Sequence, residues 1–155
     1  IAIIDLDVHQ GNGTATMTEH DPTIFSLSLH GATNYPFRKA RSSLDIDLPD
    51  GTQDADYLDA LNGALATLAT RFDPEFIIYL AGADPFYDDR LGRLALSKSG
   101  LQARDQRVFA FAEQHGLPVA VAMAGGYART ITDTVDIHFG TVSCALQYWR
   151  PHINL

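Results

Sequence analysis

The chain has 155 residues, 46% hydrophobic and 19% charged, enough for one globular domain with a sizeable core. Eleven Lys and Arg against 19 Asp and Glu give a net charge of -8, so the basic footprint of a nucleic-acid or anionic-membrane binder is missing, and the field suits a cationic substrate. A single cysteine, Cys144 in the apolar stretch TVSCALQYW, excludes an internal disulfide, reads as a core thiol and fits a reducing cytoplasm, while no apolar run approaches the ~18 residues that span a bilayer.

In chain order, IAIID (1–5) reads as a buried strand and TIFSLSL (23–29) as a second. LDIDLP (44–49) alternates apolar and acidic residues, as an edge strand does. After Asp54, an expected N-cap, Tyr57, Leu58, Leu61, Leu65 and Leu68 recur at spacings of three and four and mark one face of a helix. FIIYLAG (76–82) is a third buried run. A helix follows Ser97 or Ser99, with Leu101, Val108, Phe109 and Ala112 facing inward, and stops at Gly116-Leu117-Pro118. PVAVAMAG (118–125) is the next strand, and a last helix is expected from Ala128 to Trp149. Strands alternating with helices predict an α/β fold, a parallel sheet covered on both faces. There is no repeat or long linker, so the chain reads as one domain. It starts at Ile1 inside a central strand, as an excerpt lacking upstream residues would.

In open α/β sheets functional groups collect at the carboxyl ends of the strands. Three of these ends carry them: Asp5, Asp7 and His9 after the first run, Asp84 after FIIYLAG, and Gly125-Gly126-Tyr127 after the last strand. On an extended segment Asp7 and His9, two apart, share a face. With Asp84 they make two carboxylates and one imidazole, the donor set of a catalytic zinc site with an open position for water, and one that also accepts Fe2+ or Mn2+. Tyr127 is placed to donate its hydroxyl to a carbonyl oxygen that becomes negative as water attacks. Gly11, Gly13, Gly82, Gly125 and Gly126 permit tight turns and close approach beside the site, whereas Gly31 and Gly51 read as plain loop punctuation. GNGTAT lacks the P-loop lysine and does not match a dinucleotide fingerprint. A general base is not evident: His115 and His138 lie in helical patterns, His20 and His152 at surface or terminal positions, and His30, after a strand, is the remaining candidate.

The phrases DLDVHQGNGT, SLSLH, GADPFYDDRLGRLALS and AGGY, in this order, resemble the zinc-dependent histone deacetylase family of the arginase/deacetylase fold. DLDVHQGNG and LGRLALSKSGLQARDQRVF look closest to its class IV branch and bacterial relatives. The resemblance covers nearly the whole chain and implies a three-layer α/β/α domain with a mostly parallel sheet, of which residues 1–155 form the C-terminal part, lacking the N-terminal portion. It makes Asp7, His9 and Asp84 the zinc ligands and Tyr127 the group that polarises the scissile amide carbonyl. It also implies a potassium ion at Asp5, Ser28 and Leu29 with the backbone carbonyls of Asp7 and His9, and an acyl-lysine channel lined by Tyr35, Leu91, Gly125 and Gly126. The expected substrate is an acetylated lysine peptide or protein, or an acetylated polyamine, with no direct nucleic-acid or membrane partner and a cytoplasmic, bacterial setting. The family's adjacent histidine pair, its base and acid, lies upstream of the DLDVH strand, and no such pair occurs here.

Two other readings stand beside this one. An arginase-like ureohydrolase bridges two metals with further aspartates, at positions that hold Gly11 and Phe86 here. A silent zinc- or acyl-lysine-binding module on the same scaffold would genuinely lack the histidine pair.

Overall fold

The computed structural model describes residues 1–149. Five strands, β1 (Ala2–Asp5), β2 (Phe25–Gly31), β3 (Leu44–Leu48), β4 (Ile77–Ala81) and β5 (Val119–Met123), alternate with α1 (Asn12–Thr18), α2 (Asp54–Arg71), α3 (Lys98–Gln114) and α4 (Ile131–Trp149). The sheet runs β3-β2-β1-β4-β5 and every pairing in it is parallel. All strands therefore end at one edge, and β1, in the middle, has its carboxyl end flanked by those of β2 and β4.

Side chains alternate across the sheet, which gives its two faces different characters. Ala2 and Ile4 of β1 share a face with their register partners Phe25 and Leu27 of β2 and Ile77 and Tyr79 of β4. This is the core face, and α2 and α3 bury it with Leu61, Leu65 and Leu68 and with Leu101, Val108 and Phe109. Each such aliphatic side chain contributes about 1.5–3 kcal/mol on burial. The Phe109 ring meets that of Tyr79 edge-on at 6.0 Å and stacks on Tyr148 of α4 at 5.6 Å. The helices α2, α3 and α4 thus form one layer. On the opposite face lie Asp5, Ser26, Ser28 and His30, with α1 against β2 through Thr18, whose Oγ1 donates to Ser26 Oγ. Polar residues on that face are the origin of the site described below.

Several local expectations change. Asp54 is the first residue of α2 rather than its cap; Gln53 precedes it without a side-chain cap bond. The Asp54 carboxylate instead accepts from Ser97 N and Oγ, tying α2 to the start of α3. Ser97 is the cap of α3, accepting from Gly100 N. Asn12–Thr18 is a helix where a glycine-shaped loop was expected. Gly13 lies within it with open space around it. The last helix begins at Ile131, because the backbone of Asp88 and Asp89 engages Ala128 and Arg129 in a short ladder that holds them out of the helix. Cys144 is buried in the core, as its apolar setting suggests. Met123 of the edge strand β5 and Val135, Phe139, Val142, Leu146 and Trp149 of α4 remain exposed.

Candidate active site

The strand β1 stops at Asp5, and Asp7 and His9 lie in the bend that follows rather than on extended chain. They converge because the His9 N–H donates to Asp7 Oδ1 at 2.8 Å, a local side-chain to backbone turn. His9 Nδ1 then sits 3.0 Å from Asp7 Oδ1 and 3.2 Å from Asp84 Oδ2. Asp84 arrives from the other side, just beyond β4, the neighbour of β1. One ligand atom from each of the three residues lies within 4.8 Å of the others.

Backbone amides aim both carboxylates. Val8 N–H donates to Asp84 Oδ1 at 2.9 Å, and Gly125 N–H to Asp7 Oδ2 at 2.8 Å. The latter bond spans 118 residues and brings the end of β5 onto the end of β1. Glycine is required for this approach: a Cβ at Gly125 would collide with Asp84 Oδ2, and one at Gly82 would stand 2.7 Å from the Asp7 Cα.

The electrostatics are those of carboxylates crowded out of water. Burial pushes Asp84 up to about 6, against the hydrogen bond from His9. Burial also raises Asp5, to about 7, and repulsion from Asp7 and Asp84 adds to it. At Asp7 burial is outweighed by hydrogen bonds from the His9 ring, the His9 N–H and the Gly125 N–H, and its pKa falls. Hydrogen bonds to Asp7 and then Asp84 hold His9 protonated, with a pKa raised to about 10. The imidazolium proton thus occupies the position between the carboxylates that a cation would take. Two carboxylates and one imidazole, oriented by backbone amides and opening toward solvent at His9, fit a divalent metal with zinc-type donors.

The other expected residues fall at the same sheet edge with different surroundings. Asp5 pairs in register with Ser28, and its carboxylate accepts the Asp7 N–H. The Ser28 hydroxyl is engaged with His30 Nδ1 at 2.8 Å, and the Leu29 side chain is fully buried. Tyr35, Leu91 and Tyr127 are half exposed or more at the rim. Gly126 faces inward, where a Cβ would meet Thr134 and Ala83. Gly11 lies against Asp5 and Gly31 against Asn34, so Gly31 marks a close approach and is more than punctuation.

His30 does not fit as the base. It is fully buried, with Nδ1 on Ser28 and Nε2 on Asp47 at 2.9 Å, so neither nitrogen is free to take a proton from water. Burial lowers its pKa, against the pull of Asp47. His138 does lie in a helix, with its Nδ1 buried and without a partner among the described residues. His152 is outside the described residues.

The family model described as the histone deacetylase domain matches residues 1–141. The chain belongs to the histone deacetylase family. It is 44% identical over 138 residues to an uncharacterized protein of Picosynechococcus, covering 89% of this chain and 46% of that one. It is 38% identical over 143 residues to histone deacetylase 2 of Arabidopsis thaliana, covering 88% of this chain and 37% of the relative. Among solved structures, a histone deacetylase homologue from Aquifex aeolicus superposes with a TM-score of 0.78 at 25% identity, over 94% of this chain and 41% of the other. The chain spans less than half the length of these relatives and corresponds to the C-terminal part of the domain.

Within this deacetylase scaffold, three buried charged groups outside the sequence reading hold the strand ends and loops: Arg104, its partner Asp105, and Asp89. Arg104 of α3 is fully buried and donates through one guanidinium nitrogen to the carbonyls of Gly82, at 2.5 Å, and Leu6, at 3.4 Å. It thereby ties together the two strand ends that carry Asp84 and Asp7. Its charge is balanced by Asp105 at 2.8 Å, which also accepts from Tyr79 and Thr141. Asp89, also buried, accepts from the backbone amides of Leu91, Gly92 and Tyr127. A charged pair such as Arg104-Asp105 on an otherwise apolar helix face was the available signal for the first. Asp89 follows Asp88 in an acidic loop, where nothing in the sequence distinguishes it from a solvated neighbour.

Proposed function

We propose that this protein is a zinc-dependent amidohydrolase that removes the acyl group from acetyl-lysine or a related acyl-amine. The observation that supports it best is the Asp7, His9 and Asp84 cluster at one strand edge, tied through Gly125 to the loop that carries Tyr127. Held by these three residues, zinc supplies Lewis acidity and a lowered water pKa; Fe2+ would serve in the same donor set. The chain's own groups do the rest. The Tyr127 hydroxyl donates to the amide carbonyl oxygen as negative charge develops on it. Tyr35 and Leu91 at the rim flank the aliphatic stem of the acyl-lysine. Asp5, Ser28 and the Leu29 carbonyl would hold a potassium ion, whose charge would offset the buried carboxylate. By the family resemblance the base is one of an adjacent histidine pair that lies upstream of the DLDVH strand; His30, with both nitrogens engaged, does not take that role.

The test is acetate release from an acetyl-lysine peptide and from an acetylpolyamine by the protein in its full natural length, with Tyr127→Phe beside it. Turnover that needs added zinc and falls about 100- to 1000-fold in the variant is the expected result. No release from either substrate class would leave the silent-module reading in possession, and urea formation from a guanidino substrate would favour the ureohydrolase.

A further inference from the structure

Tyr127 lies on an exposed loop, yet its backbone is fixed from both sides. Its N–H donates to Asp89 Oδ2 at 2.6 Å. Its carbonyl accepts from Arg90 N at 3.2 Å and Arg90 Nε at 3.1 Å. Asp89 also pairs with Ala128 in an antiparallel bridge, and Arg129 N–H donates to the Asp88 carbonyl at 3.1 Å. The other oxygen of the same carboxylate, Oδ1, accepts from Leu91 N and Gly92 N, each at 2.8 Å, and closes the turn that presents Leu91.

That turn is anchored in two further directions. The Leu91 carbonyl accepts from Asn34 Nδ2 at 2.9 Å, and Asn34 precedes Tyr35. Gly92 packs so closely on the Asp84 backbone that a Cβ there would collide with the Asp84 carbonyl. A carboxylate that only shaped its own turn would need one oxygen for the task. Asp89 uses the second on an amide 38 residues away, and it does so while only 7% exposed, where a charge-assisted bond is strong.

We propose that Asp89 is a positioning residue of this site, the one carboxylate that locks the tyrosine loop to the rim turn so that the Tyr127 hydroxyl and Leu91 are set as a unit. The proposal rests on the role assigned to Tyr127 above. With its backbone held at both N–H and C=O, Tyr127 reaches the site through side-chain rotation alone. Freeing its N–H lets the loop sample positions from which the hydroxyl misses the carbonyl oxygen.

Asp89→Asn separates the two tasks. The asparagine oxygen still closes the Leu91 turn, but its NH2 group faces the Tyr127 N–H, donor against donor. Amide hydrogen exchange on the full-length protein reads the lock directly: the variant is expected to exchange at Tyr127 about tenfold faster or more, with Leu91 and Gly92 changed less. Its kcat is expected to fall about 10- to 100-fold with KM nearly constant, and to show no further loss when combined with Tyr127→Phe. Zinc content, measured alongside, stays at the wild-type value. Unchanged exchange at Tyr127, or losses that multiply in the double variant, would overturn the proposal. A wild-type protein that releases no acetate sinks the deacetylase reading instead, and the Tyr127 exchange rate then decides the lock alone.

Discussion

Zinc binding to the metal-free protein must displace a proton from His9. The ring Nδ1 that would ligate the metal is the atom shared with Asp7 and Asp84, and their hydrogen bonds raise its pKa to about 10. At pH 7.5 His9 is therefore fully charged, while Asp84, raised to about 6, is almost fully ionised. Loading zinc at this pH is expected to release about one proton, rising toward about 1.5 at pH 6, where Asp84 is half protonated. Removing the His9 proton at pH 8 costs about 3 kcal/mol, at 1.36 kcal/mol for each unit below its pKa. The apparent affinity should accordingly climb about tenfold per pH unit from 7 to 9 and flatten near 10. Calorimetric titration of zinc in buffers of different ionisation enthalpy measures both quantities. Release below about 0.3 proton at pH 7.5, together with an affinity flat from pH 6 to 9, would show that His9 is not the displaced group.

Three other outcomes are expected. Because the folded-state pKa of His9 lies above its ordinary 6.5, its contribution to stability is complete below pH 6.5 and is lost as pH rises toward 10; urea midpoints of the metal-free protein should fall across that window. Gly125→Ala drives a Cβ into Asp84 Oδ2 and displaces the amide that orients Asp7, so zinc affinity should drop about 10- to 100-fold in a chelator competition. Arg104→Met leaves Asp105 charged and buried without its partner and should cost about 3–5 kcal/mol in denaturant unfolding, with Asp105→Asn in the same background recovering part of it.

The parts of this molecule legible in the sequence are those where a local pattern has one physical solution. Apolar runs bounded by helical patterns allow little besides a parallel sheet, and parallel strands put Asp7, Asp84 and Tyr127 at one edge whatever the details. Asp7 and His9 come together as the sequence predicts, but in a bend closed by the His9 N–H rather than on extended chain. The groups missed act through contacts distant in sequence. Asp89 matters because of an amide 38 residues on, and Arg104 because two carbonyls from different strands end beside it. His30 looked available at a strand end, but its partners Ser28 and Asp47 sit on its own and an adjacent strand, and register rather than composition places them there. The helix α1 was hidden by glycine, a poor helix former that tertiary packing of Ala15 and Thr18 overrides.

Anomalous diffraction from zinc-soaked crystals at the zinc absorption edge tests the central claim most directly. One strong peak per chain is expected, about 2.0–2.2 Å from His9 Nδ1 and from a carboxylate oxygen of each of Asp7 and Asp84. A pair of peaks about 3.5–4 Å apart, or a single peak away from these three residues, would contradict it.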